Sequence, residues 1–128
     1  MIDYKQIEIN LIEAFQRIGW RDSKEVGVSC GGRIDVVAES PDGIKYGLEI
    51  KSSVSDLHSG YGLNQDAEDF DYGYVICDNN LIELVIGDLY LLGMNRTGVI
   101  EVREEGLRII KPAIHKKIRW LTYPLEML

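Results

Sequence analysis

Arg33-Ile34-Asp35-Val36-Val37-Ala38-Glu39-Ser40-Pro41-Asp42-Gly43-Ile44-Lys45-Tyr46-Gly47-Leu48-Glu49-Ile50-Lys51 is the stretch that decides the fold. Residues 33–39 and 44–51 read as two extended segments. Ser40-Pro41-Asp42-Gly43 between them carries proline and glycine at turn positions. Two strands joined by so short a turn form a hairpin, so they are antiparallel neighbours. Strand side chains alternate faces. Ile34, Val36 and Ala38 then share one face, and Leu48 and Ile50 supply its counterpart on the second strand. That leaves Asp35, Glu49 and Lys51 to converge on the other face. An aspartate set among Ile34, Val36 and Val37 is poor strand chemistry and calls for an explanation.

Outward from the hairpin the elements follow in a simple order. Before it, residues 3–18 read as a helix. Ile7, Leu11, Phe15 and Ile18 lie on one stripe, Asp3 is placed to cap its start, and Gly19 is placed to end it. A weak strand is expected at 25–29. After the hairpin, 52–62 is polar and glycine-rich, and 62–71 reads as a short helix. Residues 72–77, Tyr-Gly-Tyr-Val-Ile-Cys, read as a buried strand. Asn79 or Asn80 then caps a helix running to about 93. A last hairpin pairs 99–103 with 107–111. The tail is basic and aromatic, from Lys111 through His115, Lys116, Lys117 and Arg119 to Trp120 and Tyr123. The expected architecture is one α/β domain, a mixed sheet flanked by helices, with 78–128 as a helix-and-hairpin extension of a core over 3–77.

Composition narrows the function classes. The chain has 128 residues, 45% hydrophobic and 27% charged, which suits one compact domain rather than a disordered chain. No apolar run approaches the roughly 20 residues that cross a bilayer, and the polar start resembles no signal peptide. A cytoplasmic protein without a membrane partner is expected. The net charge of −7 argues against a polybasic nucleic-acid tail but allows a local basic patch. Cys30 and Cys77, with only His58 and His115 to help, fit no zinc motif and read as free thiols.

Two carboxylates held side by side repel, and a divalent metal ion is the usual compensation. Mg²⁺ favours hard oxygen ligands, with Mn²⁺ as a substitute. A lysine projecting to the same side would hold the attacking water, or stabilise charge building on phosphorus. Asp35, Glu49 and Lys51 together fit metal-assisted phosphodiester hydrolysis.

Asp35 followed by Glu49-Ile50-Lys51 resembles the PD-(D/E)xK nuclease superfamily, and within it the archaeal and viral Holliday-junction resolvases. The resemblance covers roughly residues 5–77. It rests also on Glu8 in the first helix ahead of Gly19-Trp20, on Cys30-Gly31-Gly32 before the strand, and on Gln65 in the following helix. The proline of the motif name is absent, since Ile34 precedes Asp35. The resemblance implies a restriction-endonuclease-like core: helix, three-strand antiparallel meander, helix, strand. It implies Mg²⁺-dependent cleavage of DNA that leaves a 5′-phosphate. It also implies that Asp35, Glu49 and the Ile50 backbone carbonyl bind metal, that Glu8 supports the metal or its waters, that Lys51 activates water, and that Gln65 orients the site.

Further residues are candidates for the phosphate backbone: Arg33 and Lys45 beside the hairpin, Ser52 and Ser53 after it, and Lys116, Lys117 and Arg119 with Trp120 stacking on a base. A domain this small has little surface for duplex, so a homodimer is expected. RNA-directed or restriction-type cleavage, a catalytically silent relative that binds nucleic acid or protein, and a small unrelated interaction module remain as alternatives. On the nuclease reading Asp35→Asn, Glu49→Gln and Lys51→Ala each abolish cutting and leave folding intact.

Overall fold

A computed structural model describes residues 3–27, 33–53, 70–103 and 106–115. The helix α1 spans Tyr4–Arg17. Its cap is Asp3, whose carboxylate accepts from the Lys5 and Gln6 amides, satisfying donors that a helix start leaves unpaired. Gly19 ends it at φ +80, a left-handed backbone open to glycine at little cost.

Six strands form one sheet in the order β1-β2-β3-β4-β5-β6. They are β1 Arg21–Gly27, β2 Arg33–Glu39, β3 Lys45–Ile50, β4 Tyr72–Cys77, β5 Gly98–Arg103 and β6 Gly106–Lys111. β1, β2 and β3 make an antiparallel meander. β3, β4 and β5 run parallel, and β6 returns antiparallel to β5. The α/β architecture expected from the sequence is what the chain adopts. β5 and β6, from the stretch expected to extend the core, belong to the same sheet.

Two expectations need correction. The first strand is β1 over 21–27, not 25–29. Its Arg-Asp-Ser-Lys-Glu opening hides it from a hydrophobic pattern, but β1 is an edge strand, and edges are commonly charged. The helical segment after β4 opens with a 3₁₀ turn capped by Asp78, not by an asparagine. The Asp78 carboxylate accepts from the Asn80 amide and starts a 3₁₀ turn, Asn79–Leu81, which leads into α2, Ile82–Leu91. The expected helix over 62–71 lies outside the described residues, apart from the buried Phe70 and from Asp71, neither of which is helical.

Both faces of the sheet are core. On one face α1 brings Ile7 and Leu11 onto Val36, Leu48, Ile50 and Ile76. On the other, the 3₁₀ turn brings Leu81, and α2 brings Val85 and Leu89, onto Val75, Cys77 and Val99. Each fully buried aliphatic side chain contributes roughly 1.5–3 kcal/mol. Parallel strands buried on both faces read as nearly continuous apolar runs, and Tyr-Gly-Tyr-Val-Ile-Cys is one. A row of rings crosses the sheet near the start of β3. Trp20 stacks on Phe15 at 5.6 Å and meets Tyr46 at 5.3 Å, Tyr46 stacks on Tyr72 at 5.2 Å, and His115 caps Tyr72 edge-on. Gly19-Trp20 thus ties the end of α1 to the sheet. Gly98 lets β5 approach β4, because a Cβ there would stand 2.4 Å from the Tyr74 ring.

Candidate functional site

The site is built where β2 parts from β3. The last β2–β3 pair is Val36↔Leu48. Continuing that register by one step sets Asp35 opposite Glu49. The Ile50 amide does not complete a backbone ladder there; it donates to Asp35 Oδ2 at 2.7 Å. Ile34 and Val36 are both fully buried but pack into different clusters, and Asp35 is the residue between them. This explains an aspartate inside an apolar strand: its carboxylate replaces a ladder acceptor. Within a strand, a residue's N–H and C=O project to the same edge. The Ile50 carbonyl is therefore directed toward the same gap.

β3 supplies the other two groups. Glu49 and Lys51 stand two residues apart on one face, and Lys51 Nζ lies 3.5 Å from Glu49 Oε1. The Lys51 amide donates to the Ile76 carbonyl, which fixes its position against β4. Their side chains are 3% and 10% exposed for Lys51 and Glu49. Glu49 is in register with Val75, so it shares a face with the Val75, Cys77 and Val99 cluster. Charges this deeply placed require partners, and these two have one another.

The remaining sequence candidates divide. Glu8 is buried at 8% exposure, on the helix whose apolar residues cover the opposite face. Glu8, Asp35 and Glu49 do not form a trio, since no group of three metal-ligating side chains is placed to share an ion among the described residues. The donor set that remains, two carboxylates and a backbone carbonyl, suits Mg²⁺, which binds through one or two carboxylates and keeps several waters. One hydrogen bond does not exhaust a carboxylate with about four lone-pair sites.

Ser52 and Ser53 are exposed directly after Lys51, at the mouth of the site. Lys45 is not at the site. It opens β3 at the far end, about 13 Å from Glu49 along the strand, where its amide donates to Asp71 Oδ2 and its carbonyl accepts from the Asp71 amide. Lys111 is no part of a basic tail: its ammonium donates to the carbonyls of Asn95 and Thr97. Burial lowers its pKa. Gln65, Lys116, Lys117, Arg119 and Trp120, and the side chain of Arg33, lie outside the described residues.

Beyond β3, the parallel strands continue the charged row. Cys77 follows in β4 and Glu101 in β5, paired in register. Burial foremost, then Asp78 and Glu101, push the Cys77 thiol up to about 12, so it stays protonated. Glu101 is 4% exposed and accepts a hydrogen bond from Arg103 Nε. Sequence reasoning passed over this pair, although Glu101-Val102-Arg103 repeats the spacing of Glu49-Ile50-Lys51.

No known family profile matches the chain, and no curated protein does. A solved structure of a protein of unknown function from Silicibacter pomeroyi is similar to it. It aligns at a TM-score of 0.56 with 18% identity, over 88% of this chain and 80% of that one. At that identity the likeness concerns the fold. Among the described residues no helix is long and apolar enough to cross a membrane.

Proposed function

We propose that this protein is a metal-dependent endonuclease that hydrolyses DNA phosphodiester bonds at the parting of β2 and β3, on a restriction-endonuclease-like core. The observation that carries the reading is the bond from the Ile50 amide to Asp35. It holds one carboxylate beside Glu49, at the one place where the hairpin ladder gives way. The meander followed by parallel strands also has the order that the resemblance implies.

In this reading Asp35, Glu49 and the Ile50 carbonyl bind Mg²⁺, which supplies Lewis acidity toward a phosphate oxygen. Lys51 orients the attacking water and offsets charge building on phosphorus. The water oxygen bonds to phosphorus and its proton leaves to solvent. The P–O3′ bond breaks and O3′ takes a proton from solvent, giving a 3′-hydroxyl and a 5′-phosphate. With a cation bound, Glu49 would exchange its contact with Lys51 for the ion, and the ammonium would be left to orient the water. The protein acts as a homodimer, giving two sites for two strands.

The test is cleavage of labelled single-stranded, duplex, flapped and four-way DNA with Mg²⁺ or Mn²⁺. The parent should cut at least one substrate, and Asp35→Asn and Glu49→Gln should cut none. An Asp35→Asn protein as active as the parent would overturn the assignment. A second reading, a catalytically silent relative that binds nucleic acid or protein, draws on the closed Glu49–Lys51 pair. Calorimetry separates the two: heat from Mn²⁺ that vanishes in Asp35→Ala favours the enzyme, and no heat at all favours the silent relative.

A further inference from the structure

Four positions fall in one line across β3, β4, β5 and β6. Ile50, Ile76 and Ile100 are in register on β3, β4 and β5. One step further along, Lys51 leads to Cys77, and Cys77 pairs with Glu101. Glu101 pairs in turn with Arg108 on β6. The buried Glu101 carboxylate thus has Arg103 two residues on, hydrogen-bonded to it, and Arg108 directly across the ladder. The Arg103 side chain is 38% exposed and Arg108 is exposed. A buried carboxylate that fixes an exposed guanidinium is a way of preorganising a fork of donors, which match phosphate oxygens.

Of the other described cations, Lys51 is buried against Glu49, and Lys111 is at the opposite end of β5, paired with Val99. On a chain of net charge −7, a polyanion reaching the C-terminal ends of the parallel strands meets Arg103 and Arg108. Arg103 lies two strand spacings, about 10 Å, across from Lys51 and about 7 Å further along. The rise is about 3.4 Å per phosphate along one strand, so the arginines and Lys51 would touch different phosphates.

We propose that Arg103 and Arg108, organised around Glu101, bind a backbone phosphate that flanks the one acted on by Asp35, Glu49 and Lys51. The identity of the ligand as nucleic acid rests on the nuclease reading above. Glu101 is a positioning residue, and the arginines are binding residues that act on affinity rather than on the chemical step.

The experiment is fluorescence anisotropy with a labelled DNA duplex and a labelled four-way junction, with Ca²⁺ in place of Mg²⁺, over a salt series. Arg103→Gln and Arg108→Gln should each weaken binding about five- to tenfold and flatten the log K against log salt slope by about 0.9. Arg17→Gln, an exposed arginine at the end of α1, should match the parent. Glu101→Gln/Arg103→Gln, which leaves no buried charge unpaired, should bind as Arg103→Gln does. In cleavage, KM should rise and kcat should stay. If circular dichroism shows both single variants folded and their affinities and slopes equal the parent's, the inference is overturned, and it is overturned likewise if the parent binds neither DNA. If Asp35→Asn stops cleavage while the arginine variants bind normally, the phosphate grip fails and the nuclease reading survives. If the parent cuts nothing and the arginine variants still lose binding, the nuclease reading fails and the grip stands.

Discussion

Replacing Asp35 separates what its charge does from what its hydrogen bond does. In the structure Asp35 Oδ2 accepts from the half-buried Ile50 amide at 2.7 Å. Asp35→Asn keeps a carbonyl oxygen in that place. It exchanges a charge-assisted bond for a neutral one, a difference of about 1 kcal/mol. Against that loss, the repulsion from Glu49 disappears. The net change expected for Asn is within about 1 kcal/mol of zero. Asp35→Ala leaves the Ile50 amide without its acceptor, which costs about 1–3 kcal/mol. Urea denaturation followed by circular dichroism gives both values, with an unchanged m-value as the check that the two-state comparison holds. Both variants should lose Mn²⁺ binding entirely, although they differ in stability. If Ala and Asn are equally stable, the amide does not depend on Asp35 and the account of the parted strands is wrong.

The buried pair predicts more than lost activity. Lys51→Ala removes the ammonium that faces the buried Glu49 carboxylate and should cost about 3–5 kcal/mol. This revises the expectation that folding is untouched, and thermal denaturation checks it. The double variant Glu49→Leu/Lys51→Met should recover most of that loss and cut nothing; a double variant as unstable as Lys51→Ala would contradict the pairing. Gly98→Ala drives a Cβ to within 2.6 Å of the Ala113 nitrogen as well as into the Tyr74 ring. Overpacking of this kind costs about 1–3 kcal/mol, and a Gly98→Ala protein with the parent's urea midpoint would refute the close approach. Cys77 should resist thiol reagents at pH 8 until the chain unfolds. Its folded pKa of about 12 lies above the ordinary 9.0. The stability it contributes is therefore full below pH 9 and lost as pH rises toward 12, by roughly 1.4 kcal/mol per pH unit. Denaturation midpoints that do not fall across that range for the parent relative to Cys77→Ala would count against it.

The parts of the fold that the sequence disclosed are those with strong local chemistry. Pro41-Asp42-Gly43 marked the hairpin, the Ile7–Leu11 stripe marked α1, and the apolar 72–77 run marked a strand buried on both faces. The site was half legible. Glu49 and Lys51 share a face because strands alternate, and the short turn brings Asp35 alongside. Three things were not legible. β1 is an edge strand whose charges mask its pairing. The depth of Lys51, which is 4% exposed, is a tertiary property that strand alternation does not report. The Glu101–Arg103 pair acquires meaning only when β4 and β5 set it in line with Lys51. Local pattern reports which side chains share a strand face, but not what the rest of the chain lays upon that face.

The central claim, one cation held by Asp35, Glu49 and the Ile50 carbonyl, is tested most directly by anomalous diffraction from crystals soaked in Mn²⁺. The account predicts a peak about 2.0–2.3 Å from oxygens of all three residues, with Lys51 Nζ moved away from Glu49. Density at some other place on the chain, or none where β2 and β3 separate, would contradict it.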